Sequence, residues 1–355
     1  MLDFEYINSL IASPCTKAKA AAQAHWDSIA KPLNGLGRLE TVVTKIAALT
    51  ENSCVGIGKR AVAVFCADNG VVCEGVTQTD ASVTATMAAQ IRDHRSSVCL
   101  MAAAAGADVF AHDMGMLKPV EGVEGCHIAD GTGNIAVGPA MTREVAEMAI
   151  KYGMDLVLRY SNEGYKILVT GEMGIGNTTT SSAVASQLLD MPVEQVTGRG
   201  AGLSDSGLER KLAVIKKAVE VNAPDKNDPL DVLSKLGGFD IAGMVGMFIG
   251  GAVYRVPIVV DGLISSVSAL IAARLCPNCR SAMIASHTSK EPAAKAILDE
   301  LELEPVIYAD MKLGEGTGGV CMLPLLDMAL SVYHGSAEFE DTGIEKYRKL
   351  GGESK

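Results

Sequence analysis

Within Gly171–Ser182 (GEMGIGNTTTSS) stand three glycines, one carboxylate (Glu172), one amide (Asn177) and five hydroxyls, all following the apolar run Ile167–Val169. This pattern reads as a strand, a glycine turn and a helix start. Glycines let backbone N–H groups turn toward a ligand, and a helix start adds unpaired donors and a partial positive charge, so phosphate is the natural guest. The turn lacks the lysine of a P-loop, and its glycines do not make GxGxxG. Spacing alone divides evenly between an anion site and a plain strand-to-helix connection. Capping accounts for one or two of the hydroxyls of Thr178, Thr179, Thr180, Ser181 and Ser182, and a ligand would account for the surplus.

A second candidate is Glu315, set between Gly314 and Gly316 in LGEGTGG. An isolated glutamate is ordinarily a surface group. Here the neighbours are apolar, and desolvation would raise the carboxyl pKa toward the range of a general base. Glu172, Asp68 and Asp261 close other expected strands on the same sheet edge. Several carboxylates facing one crevice stabilise positive charge developing on a sugar ring, as in glycosyl transfer. His287, in SHTSKE, reads either as a ligand contact or as a hydrogen-bonded loop histidine. Cys276 and Cys279 form a CxxC without a second pair or nearby histidines; the pair reads as a turn, with metal or redox use as the alternative. Met244, Met247, Met311 and Met322 read as core fillers.

The elements that must position these groups alternate between strand and helix. Strands are expected at Arg60–Ala67, Ala107–Asp113, Ile167–Val169, Arg255–Asp261, Ala282–Ser286 and Pro305–Tyr308. Helices are expected through most of residues 1–50, over Ala81–Ala105 with a break at Arg92–Arg95, after Thr142, over Ser206–Val221, Gly262–Leu275 and Glu291–Leu301, and after Pro324 through Tyr333. Glu315 would then sit at a strand end. Such βαβ units imply an α/β fold with a mainly parallel sheet. The glycine-rich segment Gly115–Gly138 is long for a compact domain, and such loops are usually functional. The uncharged stretch Ile241–Val253 is too short to span a bilayer and reads as a buried helix despite its Gly246/Gly250 pair.

Composition bounds the function. Across 355 residues, 31 basic and 42 acidic side chains give a net charge of −11, which argues against nucleic-acid and anionic-membrane partners without excluding a locally held phosphate. With 37 glycines and only 4% aromatics, the core is aliphatic and closely packed. The nine cysteines are scattered and odd in number, as expected for reduced thiols in the cytoplasm, and MLDFEYINSL carries no basic leader.

Eight co-linear segments carry a resemblance: KPLNGLGRLE (31–40), ADNG (67–70), GTGNIAVGPAMTRE (131–144), GEMGIGNTT (171–179), GRGAGLSD (198–205), VDGLISSVSALIAARL (260–275), SHTSKEP (286–292) and LGEGTGG (313–319). Together they resemble the nicotinate-nucleotide–dimethylbenzimidazole phosphoribosyltransferase family across nearly the whole chain. The resemblance implies transfer of 5-phosphoribosyl from nicotinate mononucleotide to the lower-ligand base of a cobamide, with release of nicotinate. It implies that Glu315 takes the proton from the attacking nitrogen and that Glu172 lies near the ribose. Gly174, Ile175, Gly176, Asn177 and Thr178 would hold the phosphoribosyl group, supported by Lys211, Asp261, Ser289, Gly314 and Gly316. Thr77, Gln78, Ser82, Met87 and Leu313 would form the base pocket.

The implied fold is a Rossmann-like sheet with helices on both faces, residues 51–324, and a small helical subdomain from residues 1–50 and 325–355. The implied enzyme is a cytoplasmic homodimer using no metal and no cofactor. One departure stands out: the loop after ADNG reads Thr77-Gln78-Thr79-Asp80-Ala81-Ser82, where the family usually carries a Tyr-Pro-Gln-like sequence. This leaves open a phenol, a purine or an unsubstituted benzimidazole as acceptor. It also leaves open a heterodimer with a paralogue, in which this chain is a weakly active nucleotide-binding subunit. A dinucleotide-dependent oxidoreductase fails on the missing GxGxxG.

Overall fold

The computed structural model describes residues 1–347; residues 348–355, the end of the expected 325–355 segment, lie outside the described residues. Six strands build one sheet: β1 (Arg60–Ala67), β2 (Asp108–Gly115), β3 (Glu124–Gly125), β4 (Ile167–Met173), β5 (Ile258–Val260) and β6 (Met283–Ala285). Their order is β3-β2-β1-β4-β5-β6, and every pairing is parallel. This is the doubly wound Rossmann order, in which the chain reverses direction across the sheet between β1 and β4. A crevice opens there, outside the carboxyl ends of the strands.

The apolar run of β1 serves two cores because side chains alternate faces. Ala61, Ala63 and Phe65 join the core covered by helices 143–162, 239–253 and 263–275. Val62, Val64 and Cys66 join the core covered by helices 38–50, 82–92, 97–104 and 317–335. Small residues set the packing distance. A Cβ at Gly246 would overlap the carbonyl of Ile150, and one at Gly153 would overlap that of Gly243, so helices 239–253 and 143–162 touch backbone to backbone. The Gly246/Gly250 pair is thus a helix-packing face. None of the described helices is long and apolar enough to cross a membrane.

Helices from both chain ends meet: the Trp26 and Tyr333 rings are 4.8 Å apart, and Ile29 bridges to Glu338. Two expectations need correction. Pro305–Tyr308 forms no ladder strand; a single bridge joins Ile307 to His287. The leading proline has no N–H to give, and Arg38 instead pins the segment through Pro305 O at 2.7 Å and the Tyr308 hydroxyl at 3.0 Å. The last long helix begins at Thr317, not after Pro324, which it contains on its exposed side, where the ring meets solvent. Glu315 therefore precedes a helix and does not end a strand.

Candidate active site

A cavity of about 350 Å³ opens at the carboxyl ends of β4 and β5. One wall is the turn that follows β4. Gly174 lies so close to β1 that a Cβ would come 2.7 Å from Ala67 O, and Gly176 takes φ +94°, which glycine adopts without strain. The helix Asn177–Leu188 starts there with no side-chain cap, leaving its first turn facing the cavity. Thr178 Oγ1 accepts a hydrogen bond from Lys211 Nζ at 2.9 Å, which leaves the threonine proton free to point at a ligand. Lys211 is wholly buried, its pKa pushed down to about 8 by desolvation, and it supports the turn through Thr178 without lining the cavity.

The remaining hydroxyls do not serve a ligand as the sequence suggested. Thr180 donates to Asn177 O at 3.0 Å and Ser182 to Thr178 O at 2.8 Å, both bonds inside the helix. Thr179 and Ser181 are buried in the core without partners. Only Asn177 and Thr178, at the mouth of the helix, line the cavity; Thr180 and Ser181 share a face with Asn177 but lie a turn deeper, inside the core.

The opposite wall carries Glu315. Gly314, Glu315 and Gly316 have φ of +89°, +60° and +93°, three consecutive residues in the left-handed region. For glutamate this conformation costs about 1 kcal/mol, and such strain is held only by dense surroundings. Here those surroundings are β4: a Cβ on Gly171 would come 2.5 Å from Glu315 O, and one on Gly314 would come 2.5 Å from Glu172 Oε1. The loop therefore lays Glu315 beside Glu172. The Glu315 carboxylate accepts the N–H of Val98, at the start of helix 97–104, at 3.3 Å. Burial raises its pKa, and this hydrogen bond holds back part of the rise.

Asn177 donates to Glu172 Oε2 and, at 3.0 Å, to Asp240 Oδ2. Burial first, then the neighbouring Asp240, pushes Glu172 well above the usual carboxylate range. Asp240, fully buried, is raised to about 6 by desolvation. Nothing in local pattern singles out Asp240, which reads from the sequence as the polar edge of an apolar helix. Asp261, after β5, accepts from Gly319 N–H at 2.9 Å, and burial raises it. Its neighbour His287 is held neutral by burial and bonds Ser286 Oγ at 3.1 Å.

Most expected residues meet here: Glu172, Glu315, the turn 174–178, Asp261, Ser289 and Gly314 line the cavity, as do Thr77, Gln78, Met87 and Leu313. Four do not. Lys211 stands behind Thr178; Gly316 packs against Thr170 O; Ser82 is turned to Asp80; Asp68 accepts from Leu117 N–H at 2.8 Å, away from the cavity. The glycine-rich segment 115–138 also lies outside it, buttressing the ADNG turn through Thr132 N–H to Asp68 O at 3.0 Å. Cys276 and Cys279 are buried in a 3₁₀ turn, where burial pushes the Cys276 thiol up to about 12, the state of an inert packing group. Arg199, Lys312 and Glu291 line the cavity without having been singled out; only their placement in glycine-rich or strand-end loops hinted at it.

A family profile described as Phosphoribosyltransferase matches residues 11–344. The chain is 44% identical to the nicotinate-nucleotide–dimethylbenzimidazole phosphoribosyltransferase of Acetivibrio thermocellus, covering 92% of this chain and 93% of that protein. With the enzyme of the same name from Clostridium acetobutylicum it shares 40% identity, over 94% and 96% of the two chains. The crystal structure of CobT from Thermus thermophilus superposes with a TM-score of 0.87 at 35% identity, covering 93% of this chain and all of that one. With its Rossmann order, glycine turn and paired glutamates, the chain belongs to the nicotinate-nucleotide–dimethylbenzimidazole phosphoribosyltransferase family.

Proposed function

We propose that the protein transfers 5-phosphoribosyl from nicotinate mononucleotide to an aromatic base of the dimethylbenzimidazole type, releasing nicotinate. The observation that carries this reading is the placement of Glu315 and Glu172 side by side, with the anion-binding turn on the facing wall of one cavity. The turn and Thr178 hold the 5-phosphate, which places the anomeric carbon beside Glu172. Positive charge developing there as the bond to nicotinate breaks is met by the carboxyl oxygens of Glu172 and Asp261, and itself favours their ionised form against the burial that raises them. Glu315, raised by burial, accepts the proton of the acceptor as the new bond forms.

The acceptor sits between Thr77, Gln78, Met87 and Leu313, a lining that pairs apolar faces with two polar side chains. This favours flat aromatic acceptors and admits a phenol or purine, for which Glu315 removes the hydroxyl or ring proton in the same way. We also read residues 1–50 and 325–347 as one helical subdomain, supported by the Trp26–Tyr333 contact, and the enzyme as a cytoplasmic homodimer. Nine unpaired cysteines fit a reducing compartment.

Incubating the purified chain with nicotinate mononucleotide and a panel of bases, read out by product mass, tests the reading. A phosphoribosylated base should appear with dimethylbenzimidazole or a close analogue. No product with any base would replace this reading with that of a subunit needing a paralogue.

A further inference from the structure

Glu291 has no part in the chemistry above, yet it lines the cavity, and its Oε2 is buried with no hydrogen-bond partner among the described residues. Its carboxylate lies against Gly198, where a Cβ would overlap Oε2. The carbonyl of the same Gly198 accepts from Lys211 Nζ at 3.2 Å, and the other hydrogen bond of that ammonium goes to Thr178 Oγ1. Neither partner is charged. Glu291 is the carboxylate whose charge reaches Lys211. One cation and one anion thus stand near one another behind the wall of the anion-binding turn, each offsetting part of the other's field there.

That arrangement weakens what Lys211 alone would do. A phosphomonoester brings about −1.5 to −2 charges at neutral pH, and at short range in a partly buried site a carboxylate repels it strongly. Weak holding has a kinetic use. The donor and the phosphoribosylated product carry the same 5-phosphate, so tighter phosphate contacts bind both alike. Such uniform binding lowers KM without speeding chemistry and slows departure of product.

We propose that Glu291 is an electrostatic brake on the phosphate cradle, setting how tightly the turn holds the 5-phosphate of donor and product. This rests on the reading of residues 174–178 as that cradle. Glu291 is a positioning residue for charge and takes no part in bond making.

The test is calorimetric titration of inorganic phosphate into the full chain and into Glu291→Gln, with steady-state kinetics on both. The glutamine variant should bind phosphate about fivefold more tightly or better, by removal of one nearby charge. Its KM for nicotinate mononucleotide should fall, with kcat lowered as product release becomes limiting. Glu291→Asp should keep the wild-type phosphate affinity, and Glu291→Ser, neutral and shorter, should shift as glutamine does if the glutamine variant melts early. Unchanged or weaker phosphate binding in both neutral variants overturns the brake while leaving the cradle intact. Absence of phosphate binding in the wild type overturns the cradle and the brake with it.

Discussion

Two helix starts face one another across the cavity, and they use the same backbone device. Gly176 and Gly316 take nearly the same conformation, φ/ψ of +94°/−11° and +93°/+8°, and neither helix has a side-chain cap. Their occupants differ. The helix begun at Gly316 receives one of the protein's own carboxylates, Asp261, which accepts Gly319 N–H at 2.9 Å. The helix begun at Gly176 has no carboxylate on its first-turn N–H groups and has Lys211 behind Thr178. One positive helix end is filled from within, so the loop before it can hold a strained glutamate for proton transfer. The other is left open for a substrate's phosphate. A helix start becomes a binding site when the fold leaves its first-turn N–H groups without a carboxylate bonded to them.

The sharpest way to break this contrast is Glu315→Gln. It should cost 10²- to 10⁴-fold in turnover, the usual worth of a general base, while nicotinate mononucleotide binding measured by calorimetry is kept. Near-normal turnover would remove Glu315 from its role. Next, Gly314→Ala puts a Cβ 2.5 Å from Glu172 Oε1 at a φ of +89°, so Glu172 must move. A fall in kcat of roughly 10- to 100-fold with little change in donor KM is expected, because near-attack geometry is lost on the catalytic wall alone.

Lys211→Met probes the other wall and should do the reverse. Donor KM should rise about tenfold or more while kcat at saturation changes less, since Thr178 loses the charge-assisted bond that orients it. Equal losses in kcat for Lys211→Met and Gly314→Ala would show that the two walls do not divide the work.

A smaller effect concerns pH. Burial raises Glu315, and the base must be ionised, so kcat/KM should fall on the acid side through a pKa above that of an ordinary glutamate. The limb should vanish from the residual activity of Glu315→Gln. The smallest effect is on stability. Asp240 is raised from 3.8 to about 6 in the fold, so the folded chain holds its proton more tightly than the unfolded one. Its stability contribution is fully present below pH 3.8 and is lost as pH rises through about 6. Chemical denaturation of Asp240→Asn should show a shallower decline of stability with pH over that window than the wild type.

The sequence carried five of the six strands and the helix start at Gly176, because glycine, hydroxyl and carboxylate patterns at strand ends are local properties of the chain, whereas the short strand at 124–125 and the helix start at Gly316 were not read from it. Glu172, Asn177, Thr178 and Glu315 are legible in this way, and their flanking glycines announce where backbone must approach backbone. The apolar run at 305–308 misled because period and composition do not reveal that it meets the chain after β6 over one bridge only, at His287. The hydroxyls of Thr179 to Ser182 misled because composition does not tell how deep in the core a helix runs, and none of the four lines the cavity. Asp240 and Glu291 were invisible as site groups. Their significance lies in contacts with Asn177 and Gly198, 63 and 93 positions away in the chain.

What the sequence alone determined is the alternation of strand and helix and the identity of the groups that can do chemistry, since both follow from short-range pattern. What only the tertiary structure decided is their electrostatics. Which helix start is neutralised by Asp261 and which stays open, and which carboxylates burial pushes upward, depend on distances between segments that local pattern does not encode.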